Sequence, residues 1–313
     1  MSARLPLRAL ARTRVAVPPV SRPSLAAAVR FASSSEASSS KTPATPAAAD
    51  VKGKAKDVKS EANNGTIYPV PPLARPLGVY SAPTSEPKSA EQKRKELLDA
   101  ERHKAKRRAL IKEASQGYFH DYNLARKHNG GKLYLGPPVL IREDAALYFP
   151  DLTGKALNGK MTHTTDLFKG NVSLVTILNT RISEEHANSF VEPVLEDWEG
   201  APHFNYVQIN HQANPLKSML LSFFTSSMKR TISEDRWATY MVSSGEWSDI
   251  DITTPLGIEN KLLGYVFLVD SNAKVRWAGC GLATEKETAD LRRATAVLMR
   301  RAQEDAEKAK TAQ

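Results

Sequence analysis

Hydrophobic positions change their spacing several times between residues 145 and 303, and these changes predict the secondary structure of that part of the chain. The β-branched and apolar run from Val172 to Leu178 predicts a strand buried on both faces, and Phe204 to Ile209 predicts a second strand. Between them, Ser183 to Trp198 carries apolar residues at helical spacing, so we expect a helix that Pro193 kinks.

The remaining elements follow the same alternation. Asn214 to Met228 predicts a second amphipathic helix, and residues 230–250 are expected to form an insertion. Tyr265 to Val269 and Val275 to Ala278 flank a four-residue turn and predict a hairpin, and a closing helix is expected from Thr284 to about Gln303. The order β-α-β-α-β-β-α, with a parallel central pair and a terminal hairpin, predicts a thioredoxin-like α/β domain over residues 145–303.

The N-terminal part lacks such patterns. Residues 1–35 contain six arginines and no acidic residue, which predicts a mitochondrial transit peptide over residues 1–33; a disordered basic tail is the alternative. Residues 34–88 are rich in Ser, Ala, Pro and Lys, so we expect a disordered linker. A polar tail is expected over residues 304–313.

A strongly charged helix is predicted from Ser89 to Ser115, because this stretch lacks Pro and Gly and opens with a capping box formed by Ser89 and Gln92. Its cations suit anionic lipid or RNA, but a solvated helix held by pairs of opposite charge is equally consistent with the pattern. An aromatic and Gly-punctuated arm (residues 116–144) follows and is expected to lie on the domain.

Net charge and cysteine content restrict the chemistry. A formal charge of +10 indicates an anionic partner or surface without choosing among nucleic acid, an acidic protein face and a membrane. The apolar runs are too short for a membrane-spanning helix. Thioredoxin-type catalysis needs a thiol at the start of the first helix, where this chain reads Asn179 to Glu185 without a cysteine. Redox relatives also carry a proline where this chain has Leu262-Leu263-Gly264.

Cys280 is the single cysteine. It cannot form a disulfide or a CxxC site within the chain, and we expect a small residue in a tight turn, with a reactive thiol as the alternative. The seven histidines show no ligand spacing on a helix face, and no phosphate loop or nucleophile motif occurs. The sequence therefore predicts no catalytic residue, no metal site and no cofactor.

Two sequence blocks resemble a known family. The block from Pro137 to Asp144, running into Ala146 to Pro150, is similar to a signature of the mitochondrial ATP synthase assembly-factor family called ATP ten. So are Leu263 to Asp270 and Val275 to Gly281. The resemblance implies a peripheral protein on the matrix side of the inner membrane. It implies a chaperone that binds newly made ATP synthase subunit six (subunit a) and promotes its association with the rotor ring. The family has no established catalytic residues to carry over.

Client binding is expected in the groove where redox relatives hold peptides, edged by residues 180–183, Gly264 and the turn from Gly279 to Gly281. The hairpin end would contribute one group of contact residues and the 230–250 insertion a second, aromatic group; these are Arg276, Trp277 and Cys280, and then Trp237, Tyr240 and Trp247. The helix from Ser89 would contact anionic lipid. Two alternatives remain: a thiol-dependent, peroxiredoxin-like enzyme using Cys280, and a protein associated with the mitochondrial ribosome or RNA, although no nucleic-acid partner is expected.

Overall fold

The computed structural model describes residues 69–117, 119–127, 129–213 and 225–311. The predicted transit peptide, the first part of the predicted linker and residues 214–224 of the predicted second helix lie outside these ranges.

A mixed sheet forms the centre of the described part. Its strands are β1 (Thr153–Ala156), β2 (Met161–His163), β3 (Val172–Leu178), β4 (Phe204–Gln212), β5 (Tyr240–Ser244), β6 (Tyr265–Val269) and β7 (Val275–Cys280). They lie in the order β2-β1-β5-β4-β3-β6-β7. Strands β3, β4 and β5 run parallel, while β6 is antiparallel to β3 and β7 to β6, so the predicted parallel pair and terminal hairpin are confirmed.

Helices flank the sheet and precede it. They are α1 (Ala90–Leu98), α2 (Ala100–Ser115), α3 (His120–Lys127), α4 (Thr164–Phe168), α5 (Arg181–Trp198), α6 (residues 225–231) and α7 (Glu285–Thr311). Helix α5 connects β3 to β4, and α7 follows the hairpin. The thioredoxin-like α/β topology is therefore confirmed, with β1, β2 and β5 as additional strands.

Both faces of β3 are covered, which explains why five of its seven residues are apolar. Val175 and Ile177 belong to one core cluster, which includes Phe267. Leu174 belongs to the cluster on the other face, where it joins Phe190 of α5 and the apolar side of α7. Side chains of a strand alternate between faces, so a central strand covered on both sides is mostly apolar, and its two polar residues, Ser173 and Thr176, are themselves fully buried.

The predicted linker is wrong for its last part. Leu77 is only 3% exposed and lies in the core. The backbone of Val79 donates to the carbonyl of Tyr148 at 2.7 Å and accepts from its N–H at 2.9 Å. The average composition of the segment could not predict this contact with the domain, because a single buried leucine and a pair of backbone hydrogen bonds suffice to hold an extended Pro-containing segment.

The predicted charged helix is two helices. The capping box of Ser89 and Gln92 is confirmed at the start of α1. Asp99 then ends α1 in an extended conformation, and its carboxylate accepts from the backbone N–H groups of Glu101 and Arg102 at the start of α2. An aspartate that caps the second helix competes with continuation of the first, which periodicity alone did not indicate. At the other end, α7 continues to Thr311, so residues 304–311 of the predicted polar tail are helical.

Candidate functional site

The junction of β3 and α5 is where redox relatives carry their thiol, and here it is a self-capped turn. The Thr180 hydroxyl accepts from the backbone N–H of Ser183 at 3.2 Å. The Ser183 hydroxyl accepts from the N–H groups of Asn179 and Thr180, both at 2.9 Å, and donates to the Thr180 carbonyl at 2.6 Å. Ser183 is buried and its hydroxyl is committed to these bonds, so the turn fixes the start of the helix.

Gly264 directly precedes β6. A Cβ at this position would lie 2.2 Å from the carbonyl oxygen of Ser183, which no side chain tolerates. Its carbonyl accepts from the N–H of Gly281 at 3.0 Å, and its N–H lies 3.5 Å from Nδ1 of His186. Burial, and secondly the charge of Lys132, lower the pKa of His186. The backbone of Gly264, just before β6, therefore packs directly against the first turn of α5.

Cys280 is the last residue of β7 and is fully buried. Its Sγ donates to the carbonyl of Tyr134 at 3.7 Å, and burial raises the pKa of the thiol, partly opposed by backbone hydrogen bonds from the arm. A thiol that reacts as a nucleophile needs a lowered pKa and access to solvent. Cys280 has neither in this structure and packs as a small core residue.

A buried ion pair fastens the arm beside Cys280. Nζ of Lys132 donates to Oε2 of Glu287 at 2.9 Å, to the Cys280 carbonyl at 2.9 Å and to the Leu282 carbonyl at 2.8 Å. The Lys132 and Glu287 side chains are 5% and 3% exposed. Glu287 also accepts from the N–H of Gly136 and from Thr284 at the start of α7. All these charges and carbonyls are therefore paired.

Arg276 and Trp277 hold the same arm from inside the protein. Arg276 pairs with Asp270 at 3.0 Å and donates from Nε to the Ile141 carbonyl at 2.8 Å. Trp277 is fully buried, and its Nε1 donates to the Pro137 carbonyl at 2.8 Å. The expectation that Arg276, Trp277 and Cys280 contact a partner directly is therefore wrong for this structure, because their side chains are enclosed by the arm and the sheet.

The three aromatic candidates lie in three different settings. Tyr240 is 5% exposed and belongs to β5, so its expected contact with a partner is wrong for this structure. Trp237 is half-buried; its Nε1 donates to the Ile232 carbonyl at 3.0 Å and its ring lies 4.9 Å from Nζ of Lys229. Trp247 stacks on His211 with ring centroids 3.8 Å apart and faces a cavity.

This cavity (hereafter the strand-end cavity) has a volume of about 520 Å³ and lies between α2 and the carboxyl ends of β3 and β4. Ligands of open α/β sheets bind in this position. The described residues that line it come from α2, from the strand ends and from two loops: Lys106, Ala109, Leu110, Glu113, Asn179, Thr180, His211, Gln212, Ala213, Glu246, Trp247, Ser248, Asp249, Ile250, Thr253, Ile258, Lys261 and Leu262.

Helix α2 is attached over the strand-end cavity by two ion pairs. Arg102 pairs with Asp251 at 2.6 Å, and Glu113 pairs with Lys261 at 3.1 Å. Asp251 lies in the short π-helical turn Asp249–Thr253, which forms part of the cavity wall. Helix α2 therefore covers part of the predicted groove. The other end of this groove, at Gly281, lies against Lys132 of the arm.

Two buried side-chain atoms at the strand-end cavity have no hydrogen-bond partner among the residues that the structure describes. They are Oδ1 of Asn179 and Nδ1 of His211. The amide of Asn179 is oriented by its Nδ2, which donates to the Lys261 carbonyl at 3.1 Å, so Oδ1 is the free acceptor. Burial lowers the pKa of His211 to about 4, against a smaller opposing effect of the Ser243 backbone, and the imidazole is neutral at pH 7.

Sequence patterns did not single out Asn179 or His211 as site residues. The signal that could have found them is their position, since each follows the end of a predicted strand. Within the described ranges, no group of His, Cys, Asp and Glu could hold a metal ion. No helix of the described residues is long and apolar enough to cross a membrane.

Comparison with known proteins gives a family match over most of the chain. Residues 54–298 match the family described as ATP10 protein. The mitochondrial ATPase complex subunit ATP10 of Saccharomyces cerevisiae is 27% identical over 236 residues, covering 70% of this chain and 84% of the relative. The protein of the same name from Eremothecium gossypii is 29% identical over 226 residues, covering 70% and 81%.

Solved structures similar to this chain include the thioredoxin domain of a thiol-disulfide oxidoreductase from Bacteroides vulgatus. It is 19% identical, covers 48% of this chain and 93% of its own, and has a TM-score of 0.31. The fold assignment rests on the strand order described above.

Proposed function

This chain belongs to the ATP10 family, and we propose that it is an assembly factor for the mitochondrial ATP synthase that binds newly made subunit six (subunit a) and promotes its association with the rotor ring. The observation that carries the proposal is the family match, which includes both the arm and the thioredoxin-like domain. The named relatives are mitochondrial ATPase complex subunits.

The absence of a poised thiol supports a binding role over a redox role. The position that a catalytic thiol would occupy is a capped turn of Asn179, Thr180 and Ser183. Cys280 is buried, with a raised pKa. Cavity and turn remain available to bind a protein segment without transferring electrons, so the proposed activity is non-enzymatic.

The outward face of α2 supports attachment to an anionic membrane surface. Lys104, Arg107, Arg108 and Ile111 lie on the side of α2 opposite its half-buried positions, and Ile111 is 59% exposed. Arg107 and Arg108 make no ion pair with another described residue. An isoleucine among cations suits the boundary between lipid head groups and acyl chains. We therefore propose that the protein is a peripheral protein at the matrix face of the inner membrane.

Affinity capture tests the proposed client. The tagged full chain is cross-linked briefly in mitochondria while mitochondrial translation products carry a radiolabel, and the captured products are separated by size. A predominant labelled band that antibody identifies as subunit six is the expected result. Capture of ribosomal proteins in its place, without that band, would reject the client and assign α2 to RNA.

Vesicle flotation tests the membrane surface. Arg107→Glu with Arg108→Glu should abolish flotation with cardiolipin-containing vesicles, whereas neutral vesicles should not bind either protein. Lys155→Glu with Lys160→Glu makes the same change in net charge at exposed positions, one in β1 and one in the turn that follows it, and serves as the control. Equal loss in both double variants would show a general charge effect and no lipid site on α2.

A further inference from the structure

The strand-end cavity combines unpaired buried polar atoms with apolar surface. Asn179 Oδ1 and His211 Nδ1 are buried and lack partners among the described residues, and both belong to residues that line the cavity. An unpaired buried polar atom is costly unless a ligand or water completes its hydrogen bonds. Apolar surface from Leu110, Trp247 and Ile250 lies beside these atoms.

We infer that the strand-end cavity is the client-binding site, and that it takes an extended protein segment whose backbone completes the hydrogen bonds of Asn179 Oδ1 and His211 Nδ1 while an apolar side chain lies against Trp247. This inference rests on the proposed function, since it assigns the place where the client binds.

The free atoms and the charges of the wall indicate the chemistry of the segment. The hydrogen bond from Nδ2 of Asn179 to the Lys261 carbonyl fixes the orientation of the amide. The free atom is therefore the oxygen, which can only accept, so the segment must supply a donor to it. The side chains of Glu113, Glu246 and Asp249 outnumber the ammonium groups of Lys106 and Lys261 at the wall. A neutral or basic segment is therefore favoured over an acidic one.

The volume agrees with a short segment of chain. About 520 Å³ falls within the range of sites that enclose a ligand and accommodates a few residues, not a folded domain. The covering helix α2 is attached by two partly exposed ion pairs, Arg102 with Asp251 and Glu113 with Lys261. Such pairs contribute little to stability, so α2 can adjust when the segment enters.

Site-specific photo-crosslinking tests the location. A benzophenone amino acid replaces Ile250 at the cavity wall in the full chain, and matched probes replace Ile111 on the outward face of α2 and Met161 in β2. Mitochondria are irradiated while translation products carry a radiolabel. We expect labelled subunit six at the Ile250 probe and none at the other two.

His211→Phe tests the hydrogen bond separately from folding. Phenylalanine preserves stacking on Trp247 and removes both ring nitrogens, of which Nδ1 has no described partner, so the melting temperature of the full chain should change little. Client crosslinking from the Ile250 probe should fall about three- to tenfold, the effect of one lost hydrogen bond. His120→Phe makes the same change at an exposed position and should leave both measurements unchanged.

The outcomes separate this inference from the proposed function. Labelled client at the Ile111 or Met161 probe but not at Ile250 overturns the cavity as the site and leaves the client in place. No client at any probe, together with no client in affinity capture, rejects the proposed function itself. A His211→Phe protein that crosslinks normally, or one that loses crosslinking only because its melting temperature falls, overturns the role of the free nitrogen.

Discussion

Replacing Lys132 with methionine should destabilise the whole thioredoxin-like domain, because Lys132 joins the arm to two other elements. Its ammonium group donates to Glu287 of α7 and to the carbonyls of Cys280 and Leu282. Methionine has a similar shape but donates no hydrogen bond. The variant therefore leaves a buried carboxylate without its cation and two carbonyls without their donor.

The expected cost follows from this burial. Breaking a buried ion pair by removing one partner costs about 3–5 kcal/mol, because the remaining charge stays desolvated. For a domain of this size, that loss lowers the melting temperature by roughly 6–20 °C. Because Glu287 retains hydrogen bonds from Gly136 and Thr284, we expect a free-energy cost near the lower end of this range.

Denaturant unfolding of the full chain measures the effect, and Lys155→Met is the matched control at an exposed lysine, with an expected change within about 0.5 kcal/mol.

Adding Glu287→Gln to Lys132→Met removes both charges, so the double variant should lose less than the sum of the single variants by ~0.5–3 kcal/mol. Cys280 gives a second readout: as the only cysteine, it should react faster with a maleimide when the arm is loosened. A loss below about 1 kcal/mol with unchanged Cys280 labelling would refute the reasoning.

Three further predictions concern the same region. Gly264→Ala should cost several kcal/mol in thermal unfolding, because its Cβ would lie 2.2 Å from the Ser183 carbonyl, whereas Gly117→Ala, with no atom within 4 Å, should cost little. Cys280→Ala should support ATP synthase assembly, seen on native gels of mitochondria, with a stability loss on the order of 1 kcal/mol from the small cavity. The pKa of His211 is lowered from 6.5 to about 4 by burial, so the unfolded chain binds a proton that the folded chain excludes. Stability should therefore be full above pH 6.5 and decrease toward pH 4. Solvent screening of the half-buried ring limits this contribution to about 1 kcal/mol near pH 5, and His211→Phe should remove it in urea titrations at two pH values.

Each of these three predictions has an outcome that would contradict it. Equal melting temperatures for Gly264→Ala and Gly117→Ala would mean that β6 does not approach α5 as closely as described. Failure of a well-folded Cys280→Ala protein to support assembly would restore the thiol-dependent alternative. An identical pH response of the wild-type and His211→Phe proteins would assign the acid sensitivity to other groups.

The topology could be predicted because local sequence determines it. Val172 to Leu178 and the hairpin of Tyr265 to Val269 with Val275 carry apolar patterns that fit only buried strands, and the structure confirms them. Strand β5 was not predicted, because YMVSS is short and half polar, and its place beside β4 depends on pairing with distant residues.

The site was harder to predict for a related reason. Arg276 and Trp277 look like surface contact residues in the sequence, since Arg and Trp are frequent in interfaces. Their burial depends on the arm, whose Pro137 and Ile141 carbonyls accept their hydrogen bonds across some 140 residues of chain. Long-range contacts of this kind leave no periodic signal. The free atoms of Asn179 and His211 likewise emerge only when α2 and the strand ends are placed together.

Hydrogen bonds between the chain from Pro137 to Phe149 and β7 have a consequence for biosynthesis. β7 is an outer strand of the sheet, and residues Ile141, Leu147 and Phe149 exchange backbone hydrogen bonds along its free side and the turn before it. An outer strand left bare is a template for aggregation. Because the ribosome makes residues 137–149 before residues 275–280, the covering segment already exists when the strand emerges. The segment that covers β7 and prevents its pairing with another molecule is therefore synthesised before β7 itself.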